Sequence, residues 1–150
     1  AVARANVATN QKDFAAAERI VKEALAKHPG EPRLQQALGL FYQSQERWDD
    51  AFALYDALLA TDPDAWDALY QIGRTAALSG KRLDRGVTAL QRYIGHTPGP
   101  DSPPLANAHY RLGMVYERQG NKAGARTEYQ AALKLDPKLN DAKEALKKLG

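Results

Sequence analysis

One stretch constrains this chain more than any other: residues 106–137, ANAHYRLGMVYERQGNKAGARTEYQAALKLDP. Its apolar and small residues recur at i, i+3, i+4 and i+7, the spacing that gathers side chains on one face of a helix. His109, Leu112, Gly113 and Tyr116 share one such face, and Ala125, Tyr129, Ala132 and Leu133 share another. A short glycine-containing turn separates the two, and Asp136-Pro137 closes the unit. The spacing predicts two antiparallel helices that approach to about 8–10 Å where Gly113 and Ala125 meet. Leu112, Tyr116 and Tyr129 then fill the space around that crossing.

The upstream sequence repeats the unit. Gln35, Leu38, Gly39 and Tyr42 are followed by Ala51, Tyr55 and Pro63. Leu69, Ile72, Gly73 and Ala76 are followed by Gly86, Leu90 and Pro98, whereas the first copy keeps only Ala17, Val21 and Pro29. Gly39 to Gly73 and Pro29 to Pro63 both span 34 residues, Pro63 to Pro98 spans 35, and Pro98 to Pro137 spans 39. This pattern resembles the tetratricopeptide repeat, whose period is about 34 residues. The resemblance implies an all-α fold, a right-handed α-solenoid of antiparallel helix pairs stacked into a superhelix. The expected organisation is a single domain, 1–150, with repeats at about 1–31, 32–65, 66–100 and 106–138. The first repeat is truncated, and residues 139–149 form a capping helix.

In that family the first helix of each pair lines the concave side, where partners, often extended peptides, lie. Carried onto this sequence, the groove falls on Val2, Asn6 and Asn10, then on Arg33, Gln36, Leu40 and Gln43. It continues through Asp67, Tyr70 and Arg74, and ends with Asn107, Tyr110, Met114, Glu117 and Arg118. Amide and guanidinium groups suit the backbone and carboxylates of a peptide, and tyrosines give wide contact at low entropic cost. Tyr70 and Tyr110 stand at matching places in consecutive repeats and are expected to anchor the partner. The chaperone-tail clamp known in part of the family is not expected. Only Asn6 matches in one register, and only Arg111 in the next.

Catalysis is not expected. His28, His96 and His109 are scattered, Ser44, Ser79 and Ser102 lie in no nucleophile pattern, and no phosphate-binding glycine fingerprint occurs. No metal site or cofactor is implied. With no cysteine, disulfides and thiolate metal sites are excluded, and the compartment is open between cytoplasm and periplasm. No apolar run is long enough to insert into a membrane.

The net charge of +3 sits entirely in residues 121–150, which hold seven basic and four acidic side chains. Those lysines alternate with Ala and Leu, as on a solvated helix face, rather than forming the aromatic-interleaved basic stripe of a nucleic-acid binder. The expected partner is a protein or an extended peptide, in a non-catalytic scaffold. The alternative is a structural module that self-associates through its truncated N-terminal repeat.

Several local expectations accompany this frame. Glu18–Lys22 and Glu23–Lys27 are i, i+4 pairs. Pro32 suits a first helical turn, Asp64 is placed to cap a helix at Ala65, and Ser102 to cap one starting at Pro103. Gly86 marks the second helix of the third repeat as the weakest. Tyr93 stands where other copies have Ala24, Leu58 and Ala132, just before residues 95–104, which hold four of the eight prolines. That stiff segment reads as a long inter-repeat loop, or as a contact point where the stacking angle opens. In the repeat register the first helix should start about three residues before Ala1. The chain is therefore expected to begin inside an element of a longer or processed protein and to end near its natural C-terminus.

Overall fold

The computed structural model describes residues 1–10 and 13–150, with the backbone alone described over 7–10. The described residues form helices joined by turns, with no strand among them. The helices are α1 (Val2–Asn10), α2 (Phe14–Lys27), α3 (Pro32–Ser44), α4 (Trp48–Thr61) and α5 (Trp66–Ser79). There follow α6 (Leu83–Ile94), α7 (Leu105–Arg118), α8 (Lys122–Leu135) and α9 (Asn140–Leu149). The expected all-α class holds. The chain divides into two compact units, residues 1–54 and 55–150, with the division inside α4.

In unit 1, α2 packs against both α1 and α3. Ala5, Ala17, Val21, Leu34, Leu38 and Tyr42 are buried, the apolar positions that the helical period places inward. Asp13 caps α2 by accepting the Ala16 N–H at 3.1 Å, and Pro32 opens α3 as its missing N–H allows. The turn after α3 is held by the Arg47 N–H donating to the Tyr42 carbonyl at 2.8 Å, with Glu46 at φ +56°. Arg47 then reaches back to the Glu18 carboxylate, bonds Asp50 at 2.8 Å and lies 4.7 Å over the Tyr42 ring. Lys22 joins Glu18 at 2.7 Å as expected, whereas Glu23 approaches Arg19 at 4.0 Å in place of Lys27.

In unit 2, α5 pairs with α6 and α7 with α8, while α6 and α5 both touch α7 and α9 rests on α8. The crossings are as tight as the small residues predict. A Cβ built on Gly113 would lie 2.5 Å from Tyr129 Cε1, and one on Gly73 would lie 2.1 Å from Leu90 Cγ. Gly86 has the same role, since a Cβ there would come within 2.6 Å of the Ala76 Cβ. Its loss of helix propensity therefore accompanies a close contact, and Leu90 and Tyr93 on the same helix are fully buried.

Two expected caps do not form. Asp64 leaves the start of α5 uncapped by a side chain and pairs instead with Arg92 at 3.1 Å. The helix after the proline-rich segment begins at Leu105, two residues later than expected. Pro104 precedes it in extended geometry, and the Ser102 N–H turns back to the Gly99 carbonyl at 3.2 Å. Consecutive prolines explain the delay, because Pro104 disfavours helical geometry at Pro103.

Residues 95–104 are tied to the core. Tyr93 donates its hydroxyl to the Pro103 carbonyl, and His96 Nδ1 meets the Tyr93 carbonyl. The His96 ring stacks on Trp66 at 4.1 Å and 9°, with the Arg92 guanidinium also 5.5 Å from Trp66. The long loop thus supplies the acceptor that lets a tyrosine occupy a position otherwise filled by Ala or Leu. Burial, aided by the Asp67 charge, pushes the Tyr93 hydroxyl up to about 12.

Candidate functional site

Unit 1 contains a cleft of about 730 Å³ bordered by α1, α2 and α3. Five residues assigned to the groove from sequence, Val2, Asn6, Arg33, Gln36 and Leu40, line it together. Val2, Val21, Leu38 and Phe41 supply apolar wall, and Ser44 and Glu18 supply polar edge. The cleft exists because α1 offers small side chains, Ala3 and Ala5, where a bulkier helix would fill the space. Leu40 is 41% exposed, a large apolar group facing water from α3. The Phe14 and Phe41 rings lie 6.5 Å apart, and Phe14 is itself 37% exposed.

Charge in the cleft is asymmetric. Glu18 is already engaged by Arg47 and Lys22, and these hydrogen bonds, Arg47's first, hold its carboxyl below the usual range. Arg33 is exposed, and its guanidinium forms no ion pair among the described residues. The side chain of Asn10 lies outside the described residues, and Gln43 is buried at 5%.

In unit 2 the assigned residues divide. Asp67 and Glu117 are exposed, and Arg74, Asn107, Tyr110 and Met114 are half-buried. Tyr70 is only 5% exposed, with its ring 5.5 Å from that of Tyr93, so it is a core residue with little surface to offer. Tyr110 lies 5.9 Å from Tyr129 and, with Met114, packs on the cluster that Ala125 and Tyr129 form with Leu149 of α9. Arg118 is committed to the fold: its Nε and Nη2 donate to the Ala77 and Leu78 carbonyls at 3.2 and 3.0 Å, closing the C-terminal end of α5.

Two arrangements were not foreseen. His109 Nδ1 lies 2.6 Å from Glu128 Oε2 on α8, so a core-edge histidine has an acidic partner 19 residues away. Arg111 lies 5.3 Å over the Tyr110 ring, donates to the Met114 sulfur at 3.5 Å, and buries an Nε that has no acceptor among the described residues. Among the described residues no His, Cys, Asp and Glu cluster could hold a metal ion. No helix among the described residues is long and apolar enough to cross a membrane.

Comparison with known proteins places this geometry. Family models described as tetratricopeptide repeat match residues 8–73, 67–98 and 106–139, most of the chain. MamA from Desulfovibrio magneticus superposes with a TM-score of 0.77 at 20% identity, over 97% of this chain and 78% of that one. YrrB, described as a TPR protein with an unusual peptide-binding site, superposes with a TM-score of 0.74 at 21% identity. That match covers 95% of this chain and 71% of YrrB. In sequence the chain is 24% identical to the general transcriptional corepressor trfA of Dictyostelium discoideum over 82% of its length. It is 22% identical to the corepressor ssn6 of Schizosaccharomyces pombe over the same share. The chain spans 9% and 11% of those two relatives.

Proposed function

Because the chain belongs to the tetratricopeptide repeat family, we propose that it is a non-catalytic scaffold that holds an extended segment of a partner protein, with the unit 1 cleft as its principal seat. The observation that carries this reading is the convergence of Asn6, Arg33, Gln36 and Leu40 on one cavity of about 730 Å³. A pocket of that size is in the range that receives ligand groups. Its chemistry suits a peptide. Asn6 and Gln36 can pair with main-chain N–H and C=O groups, and Leu40 and Phe41 can cover an apolar side chain. Arg33 can receive a carboxylate bidentately. YrrB, which shares the fold, is described as having a peptide-binding site.

The test is selection of a random peptide library on the full chain, followed by binding measurements on Leu40→Asp with Arg33→Glu. Both positions are exposed, so the double variant should melt within about 0.5 kcal/mol of the parent. Enriched peptides should bind it at least about tenfold more weakly. Failure to enrich any peptide, or binding indifferent to both substitutions, removes the cleft from the function. Light scattering distinguishes a second copy as the occupant: association that rises with concentration and vanishes in the double variant would assign the cleft to self-assembly.

A further inference from the structure

The chain carries its sulfur in one place, with a single methionine, Met114, and no cysteine. A hydroperoxide that meets this protein therefore finds one thioether and no competing thiol. Met114 is half-buried on α7, neither sealed in the core nor free in water. Its Sδ accepts an N–H from Arg111 Nη1 at 3.5 Å, a weak acceptor for a strong donor. The Tyr110 ring lies 5.3 Å from the same guanidinium, whose Nε is buried with no acceptor among the described residues. A guanidinium charge is thus fixed beside the sulfur and poorly satisfied there. Met114 also packs, with Tyr110, Ala145 and Leu146, on the cluster of Ala125, Tyr129 and Leu149 that joins α9 to α8.

We propose that Met114 is a site of reversible oxidation by hydroperoxides, that Arg111 directs where the oxygen is placed, and that the resulting sulfoxide loosens α9. A sulfur lone pair attacks one oxygen of hydrogen peroxide, and the S–O bond forms as the O–O bond breaks. The departing hydroxide takes the proton left on the transferred oxygen. The thioether gives up an electron pair, and the peroxide is reduced to water. The Arg111 N–H beside the sulfur stabilises the charge on the departing oxygen, then bonds the sulfoxide oxygen, a far stronger acceptor than the thioether. Because the guanidinium meets the sulfur from one side, one sulfoxide epimer forms in excess. A polar oxygen then stands among apolar neighbours, and the contact that Met114 gives to the Leu149 cluster weakens. Methionine sulfoxide reductases, each taking one epimer and drawing electrons from a dithiol, restore the thioether.

The experiment treats the full chain with hydrogen peroxide, folded and in urea, and assigns the sulfoxide by mass spectrometry after each epimer-specific reductase. In the folded chain one epimer should exceed the other about tenfold, the effect of one charge-assisted hydrogen bond in the transition state. In urea the two should be nearly equal, and Arg111→Gln should bring the folded ratio toward equality. Hydrogen exchange in α9 should quicken on oxidation and recover with the reductase. In Met114→Leu, a volume-conserving change, peroxide should leave that exchange unmoved. A folded chain that resists peroxide where the unfolded chain oxidises overturns the proposal. So do equal epimers, a ratio indifferent to Arg111→Gln, or unaltered exchange in α9. Should Arg111→Gln fail to fold, the parent chain compared with and without urea still decides. None of these readouts involves a bound partner, so they stand or fall apart from the scaffold reading.

Discussion

In unit 1, small residues on α1 leave a cleft that Leu40 and Arg33 border from α3. In unit 2, α5 and α6 meet through Gly73 on Leu90 and Gly86 on Ala76, with Tyr70 and Tyr93 buried ring against ring. Both units are built from the same repeat, and the residue at each crossing decides the outcome. Where glycine admits a large partner, apolar surface leaves water and becomes core. Where alanine on one helix faces no large partner, the space stays open and the lining keeps its exposure. Unit 1 keeps an ion-pair network around Glu18 at the surface and unit 2 keeps one around Asp56, while unit 2 also uses Arg118 to close a helix end.

The largest expected effect separates two residues that the repeat register assigns to the same face. Tyr70→Ala in the core of unit 2 should cost about 3–5 kcal/mol, as for truncation of a buried Phe or Trp. Leu40→Ala, half in water, should stay within about 0.5–1 kcal/mol. Denaturant melts measure both. A Tyr70→Ala protein that melts like the parent would mean that its ring is not core, and the contrast between the units would fail. The next effect concerns the crossing itself. Gly113→Leu forces carbon into the Tyr129 ring and should cost about 1–3 kcal/mol. Hydrogen exchange should localise the damage to α7 and α8, and an unchanged melt would show that the ring has room to move aside.

These outcomes also indicate what was legible beforehand. Helix identities and crossing points were readable because they depend on local period and on the size of single residues such as Gly113. Tyr70 is buried for a physical reason: register puts it with Tyr110 on the concave groove face, but the large Tyr93 of α6 extends the core to cover it. Arg118 and Ala77 are 41 residues apart, and His109 and Glu128 are 19 apart. Such contacts depend on how helices cross, which spacing within one helix does not encode. The missing caps at Asp64 and Ser102 show competition, with Arg92 taking the first carboxylate and consecutive prolines delaying the second helix. The Arg111 orphan had a faint trace in the sequence, as an arginine following Tyr110, but its burial did not.

The smallest and most discriminating test is a pH scan with exchange protection followed separately in each unit. In unit 1 the Arg47 and Lys22 hydrogen bonds hold Glu18 below its ordinary value of 4.5. The native state therefore holds fewer protons than the unfolded chain near that pH, and stability falls as pH drops through the folded value. In unit 2 burial lifts Tyr93 from 10.0 to about 12 and also raises Tyr55 and Tyr129. Its contribution is whole below pH 10 and is lost as pH climbs toward 12, because the unfolded chain ionises first. Lys22, raised by Glu18, adds a loss in unit 1 above its ordinary 10.5, though its exposure leaves that effect screened. The acid limb is thus the clean discriminator. Protection in α2 and α3 should fall before that in α7 and α8, and Glu18→Gln should remove the difference at a cost of about 1 kcal/mol or less at neutral pH. Simultaneous acid loss in both units, unaltered by Glu18→Gln, would show that the surface network does not set unit 1 apart.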